Sequence, residues 1–195
     1  DIYNTMVFDG LGYHNFVQFR PELRERTIFV DSLSKTYGMP GWRVGFMAGP
    51  EVVAKAVTVL NSTHITNLPE VVTAAAVAAL TGPQDVPTGK CAEFQAKRDM
   101  VVDTMNAIPG VICPKPQGAF YVFPDISCAF GKSHKGVKIA NDVDFCSVLL
   151  ETKGVACVPG SAFGEPRALR ISYTCPTEQL PKGLQRIQEF FAELS

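Results

Sequence analysis

The sequence predicts an α/β fold whose last part is a separate, compact α+β unit. Three observations carry that expectation. Short apolar runs alternate with helical stretches over the first eighty residues, the order of an α/β layer. Residues 84–108 read as one long helix. Four short apolar runs and two periodic helices then crowd into residues 110–195. The boundaries follow: residues 1–82 form the first region, 83–109 a connecting helix, and 110–195 the last unit.

Strands are expected at about 4–8, 27–31 and 43–48, separated by polar loops. Residues 51–60 follow Gly49-Pro50, and proline suits the first turn of a helix. A second helix starts near Pro69, runs through the alanine-rich stretch 71–80, and stops at Thr81-Gly82-Pro83. In the long helix Lys90, Glu93, Lys97 and Arg98 read as one charged side. Pro87 and Gly89 limit its start, and Ile108-Pro109-Gly110 ends it. Beyond it, strands are expected at 111–113, 119–123, 155–158 and 169–173, with helices at 142–152 and 177–194. The last helix carries Leu180, Leu184, Ile187, Phe190, Phe191 and Leu194, a stripe suited to a core. There is no internal repeat and no low-complexity segment.

Composition excludes several classes. With 46% hydrophobic and 19% charged residues in 195, the chain has the makings of a globular core. A net charge of −1 without a basic stripe or acidic tail argues against nucleic acid and anionic membrane as partners. The short basic run 132–138 reads as a solvated loop. Six cysteines at 91, 113, 128, 146, 157 and 175 form no C-x-x-C pair and no zinc spacing, so no metal is expected. Cys113, Cys146 and Cys157 lie in apolar stretches and read as small buried side chains, and reduced thiols fit a cytoplasmic protein. No apolar run has transmembrane length. The first residue is Asp1, not Met, so the true N-terminus is expected to be missing.

The chemistry concentrates in residues 32–43. An apolar run ends in Ser32-Leu33-Ser34-Lys35, and a Gly/Pro-rich loop leads to Arg43. A phosphate-bearing aldehyde cofactor needs that set: an amine for a Schiff base, and hydroxyls and a guanidinium for the phosphate. Ser32-Leu33-Ser34-Lys35 followed by Gly41-Trp42-Arg43-Val44-Gly45 resembles the S-x-S-K and G-x-R-x-G segment of pyridoxal-phosphate-dependent aminotransferases of fold type I, class I/II. The aspartate aminotransferase branch is the nearest resemblance. Pro116-Gln117-Gly118-Ala119-Phe120-Tyr121, Pro159-Gly160-Ser161-Ala162-Phe163-Gly164 and Leu169-Arg170-Ile171-Ser172-Tyr173 resemble further segments of that family.

The resemblance spans the chain. It implies the end of a large three-layer α/β/α cofactor domain, then a linking helix, then a small C-terminal domain. It implies pyridoxal 5'-phosphate as cofactor, an L-amino acid and a 2-oxo acid as substrates, and a homodimer. Lys35 would hold the cofactor aldehyde and shuttle the proton at the substrate Cα. Ser32 and Arg43 would bind the phosphate. Ser34 would do the same or cap the turn. Tyr3 would hydrogen-bond the pyridine oxygen, and Arg170 would bind the substrate α-carboxylate. Arg170 also stands in an apolar strand, and a charge there calls for an anionic partner. Asn67 reads equally as a phosphate ligand of a neighbouring subunit or as a helix cap. Gly118 and Gly160 read as sites of close backbone approach or positive φ. His14, His64 and His134 read as ordinary polar residues, and Trp42 as packing.

The family's aspartate three residues before its tyrosine would fall before residue 1, and Asp1 reads as the residue after it. The chain therefore resembles the C-terminal half of an aminotransferase, and that half alone is expected to be inactive. A lyase or another reaction on the same fold, or a non-catalytic fragment, are the alternative readings.

Overall fold

The computed structural model describes residues 2–195 and divides into two compact units, Asp1–Cys91 and Ala92–Ser195. Asp1 itself, and the expectation placed on it, lie outside the described residues.

In the first unit the strand expected at 4–8 is absent. Residues 2–5 form turns and only Val7 makes a bridge. The helix α1 (Phe16–Phe19) opens on a capping box in which Asn15 and Gln18 satisfy each other's backbone N–H groups. A 3-10 turn over Pro21–Arg26 follows. Next, β1 (Phe29–Ser32) pairs antiparallel with β2 (Gly45–Ala48), with Ser32 opposite Gly45. That pairing needs glycine, because a Cβ on Gly45 would sit 2.9 Å from the Asp31 carbonyl oxygen. The connection between the strands holds α2 (Leu33–Thr36) and a 3-10 turn, Pro40–Trp42. Leu33 and Val44 are buried and anchor its two ends.

Two helices close the unit. Pro50 and Pro69 precede α3 (Glu51–His64) and α4 (Glu70–Thr81), as their sequences predict. Neither helix buries a residue. The helix α5 (Asp85–Asn106) contains the unit boundary. Pro87 and Gly89 lie within its opening turns and do not limit it, since the first N–H groups of a helix lack an intrahelical acceptor. The charged side expected along this helix is a correction: Lys97 is 5% exposed and Arg98 is fully buried.

The second unit is built on a three-stranded antiparallel sheet. Its strands are β3 (Tyr121–Val122), β6 (Val158–Pro159) and β7 (Leu169–Ser172), with β7 in the centre. The run 111–113 contributes a bridge from Ile112 to Asp125 in place of a strand. The expected basic loop is instead a hairpin of β4 (Ser133–His134) and β5 (Val137–Lys138), and His134 is wholly buried in it. The helix α6 (Asp142–Lys153) is capped by Asn141 and ends on Gly154 at φ 65°. Phe145 and Leu149 of this helix, Leu184, Ile187 and Phe190 of α7 (Leu180–Ala192), and Ile126, Ile139 and Leu169 form the core. Cys113 and Cys146 are buried and Cys157 half-buried. Burial pushes their thiols up to about 11, 11 and 12.

Candidate functional site

The strand β1 delivers Ser32 in extended conformation to the start of α2. The Ser32 hydroxyl accepts the Ser34 N–H at 3.3 Å. The capping role considered for Ser34 therefore belongs to Ser32. Lys35 follows in the same turn, half-buried. On its N-terminal side, the buried Asp31 carboxylate accepts the Ser32 N–H at 2.7 Å and the Asn4 amide at 2.9 Å. On its C-terminal side, the Thr36 hydroxyl donates to Asn4 Oδ1 at 3.3 Å and accepts from Thr5 at 3.4 Å. The two residues that follow Tyr3 are thus stitched to the residues on both sides of the Lys35 turn. This lateral use of Asn4 and Thr5 explains why no strand forms there.

Arg43 ends the 3-10 turn in the left-handed region, at φ 53° and ψ 41°. A non-glycine residue held there stores backbone strain, which is tolerated where surrounding structure or function demands it. Its Nη1 donates to the Pro40 carbonyl at 2.9 Å, and the residue is otherwise exposed. Asn67 is exposed, and its amide donates to the Leu68 carbonyl. The cap position of α4 is Pro69, so the capping reading of Asn67 does not hold.

The second unit carries Arg170. It occupies the central strand β7, opposite Val158 of β6. The anionic partner expected for it is not present among the described residues. Two aromatic rings flank it instead: the guanidinium carbon lies 4.5 Å from the centroid of Tyr121 and 4.4 Å from that of Phe163. Tyr121 comes from β3, where it pairs with Ser172. The preceding loop is held by two buried groups. Arg98 Nη1 donates to the Pro116 carbonyl at 2.7 Å, and the Tyr173 hydroxyl donates to the Ala119 carbonyl at 3.0 Å. Ala119 takes φ 63°. Phe163 comes from the turn Gly160–Phe163, which Asp142 fixes by accepting the Ser161 N–H at 2.7 Å. Gly160 is a site of close approach: a Cβ there would lie 2.3 Å from the Glu165 oxygen and 2.4 Å from that of Ala168.

Lys35, Ser32, Ser34 and Arg43 share the β1–β2 connection, and Arg170 stands apart in the sequence on β7. Sequence reading did not find Asp31, Asn4, Arg98, Asp142, or the two rings about Arg170. A pyridoxal phosphate asks for one amine beside hydroxyl and guanidinium donors. The donor set of the β1–β2 connection fits it.

An amine-bearing turn in the first unit, and an arginine stacked on two rings in the second, are the features that point to a transferase class. Comparison places the chain more narrowly. The family model for aminotransferase class I and II matches residues 1–187, and the chain belongs to that family. It is 43% identical over 196 residues to an aspartate/prephenate aminotransferase of Cereibacter sphaeroides, a match covering all of this chain and 49% of the relative. It is 43% identical over 189 residues to an aspartate aminotransferase of Rhizobium meliloti, covering 96% of this chain and 46% of that one. Among solved structures, an aspartate aminotransferase from Rhizobium meliloti superposes with a TM-score of 0.95 at 41% identity, over all of this chain and 49% of that one. An aromatic aminotransferase from Pyrococcus horikoshii gives 0.88 at 29% identity, over 98% and 49%. The chain thus spans about half the length of the relatives it matches. No helix among the described residues is long and apolar enough to cross a membrane.

Proposed function

We propose that this chain carries the cofactor lysine and the substrate-carboxylate arginine of an aminotransferase. That enzyme moves an amino group from an L-amino acid, aspartate-type by its relatives' names, to a 2-oxo acid. The observation that carries the reading is the Lys35 turn, braced on one side by Asp31 and Asn4 and on the other by Thr36 and Thr5. Bound pyridoxal phosphate would supply the electron sink that makes the substrate Cα–H acidic. The chain's own residues do the rest. Lys35 binds the cofactor covalently, and its amine then holds and returns the proton at Cα. The Ser32 and Ser34 hydroxyls and Arg43 hold the phosphate, with the Arg43 fork suited to two oxygens at once. Tyr3 offers its hydroxyl to the pyridine oxygen. Arg170 grips the substrate α-carboxylate.

In this reading residues 1–82 finish a large cofactor domain, 83–109 link, and 110–195 form the small domain. A homodimer follows from the family, and six unpaired cysteines support a cytoplasmic setting. The test is borohydride trapping of the chain with pyridoxal phosphate, followed by peptide mass spectrometry. A single phosphopyridoxyl adduct on Lys35, absent from Lys35→Ala, is the expected result. Adducts scattered over surface lysines would refute a built cofactor site on this chain.

A further inference from the structure

Arg170 is a cation in a half-buried strand position with no ion pair among the described residues, yet its guanidinium carbon lies over two aromatic rings, 4.5 Å from the Tyr121 centroid and 4.4 Å from the Phe163 centroid. Placement over two rings uses the attraction between a delocalised cation and the negative faces of aromatic rings. It also restricts the rotamers of a long, flexible side chain. The N–H groups of a guanidinium point outward in its own plane, so they meet a ligand edge-on and not through the stacked faces. A planar carboxylate matches that edge with two parallel hydrogen bonds.

We propose that Tyr121 and Phe163 are positioning residues that hold the Arg170 guanidinium by stacking and make the site select planar carboxylates over tetrahedral oxyanions. The proposal rests on the reading that Arg170 is the carboxylate-binding residue. The two rings arrive by independent routes, which is why the clamp is built and not incidental. Tyr121 is set by β3 pairing with β7, and by the loop that Arg98 and Tyr173 hold through hydrogen bonds to the Pro116 and Ala119 carbonyls. Phe163 is set by the Gly160–Phe163 turn, which Asp142 and the glycine-only contact at Gly160 fix. It also packs edge-on against Phe123 at 6.0 Å. Preorganisation of this kind lowers the ordering cost of binding.

The experiment titrates the 195-residue chain with succinate and, separately, with inorganic sulfate, following the Ile171 and Ser172 backbone amides by NMR. The wild-type chain is expected to bind succinate more tightly than sulfate. Phe163→Leu is expected to weaken succinate roughly tenfold while leaving sulfate within about twofold. Tyr121→Leu should do the same, and Tyr121→Phe, which keeps the ring, should restore the wild-type preference. Equal weakening for both anions, or an unchanged succinate affinity in both leucine variants, would overturn the clamp. Arg170→Lys separates the two readings. If it binds succinate as the wild type does, Arg170 is not the carboxylate residue and the underlying assignment fails. If it loses succinate while the leucine variants keep it, only the clamp fails.

Discussion

Asp142 illustrates how single charged residues organise this chain. It is 2% exposed, stands at the first position of α6, and accepts the Ser161 N–H. Burial opposes its charge, but the hydrogen bonds from Ser161 and from the opening turn of α6 outweigh it, so its carboxyl sits below the ordinary aspartate range. A group depressed in the folded state stabilises fully above its unfolded pKa of about 4. That contribution disappears as pH falls through the lower folded value. Asp142→Ala is therefore expected to cost about 1–3 kcal/mol at pH 7, the penalty for orphaning the Ser161 N–H. The gap between variant and wild type in urea unfolding should narrow at about pH 3, and a gap that stays constant would show that the charge is not involved. Such residues are hard to read from sequence. Arg98, Lys97 and His134 look like ordinary surface charges in a string of letters, and their burial depends on partners such as Pro116, Cys175 and Glu193 that lie 18, 78 and 59 residues away. The motifs that contain Lys35, Arg43 and Arg170 stand out in the sequence because their spacing and neighbours are local.

Elements were legible in proportion to their length. The helices α3 to α7 follow from proline starts, glycine stops and apolar stripes, whereas α1 and the β4–β5 hairpin are too short to leave a period. The strand expected at 4–8 failed for a different reason: its polar side chains bind the Lys35 turn sideways instead of pairing in a sheet. Short turns place Arg43 and Phe163, and glycine fixes the second of them. Gly160→Ala would drive a Cβ into two backbone carbonyls that have no freedom to retreat. The expected cost is about 3 kcal/mol, the upper end for overpacking, read as a lowered urea midpoint. Gly154→Ala, at a helix end with φ 65° and no backbone near its Cβ, is expected to cost only about 1 kcal/mol. If both substitutions cost the same, close approach is not what selects Gly160.

At the scale of the whole molecule the two units differ in how much apolar surface they cover. The second unit buries large side chains from every one of its longer elements, while α3 and α4 of the first bury none. Val52, Val59, Leu60, Val71, Val77 and Leu80 are each at least half exposed on those helices, and Val30 is 60% exposed on β1. Exposed apolar side chains in this number favour association in water. The 195-residue chain is therefore expected to bind a hydrophobic dye and to self-associate in sedimentation at micromolar concentration. Replacing Val71 and Val77 together by lysine should cut dye binding and move the chain toward monomer. Because neither valine is buried, urea unfolding of the variant should stay within about 0.5 kcal/mol of wild type. Unchanged association would mean that α4 is not the sticky face. A large loss of stability would mean that its valines pack in solution, against what their exposure shows.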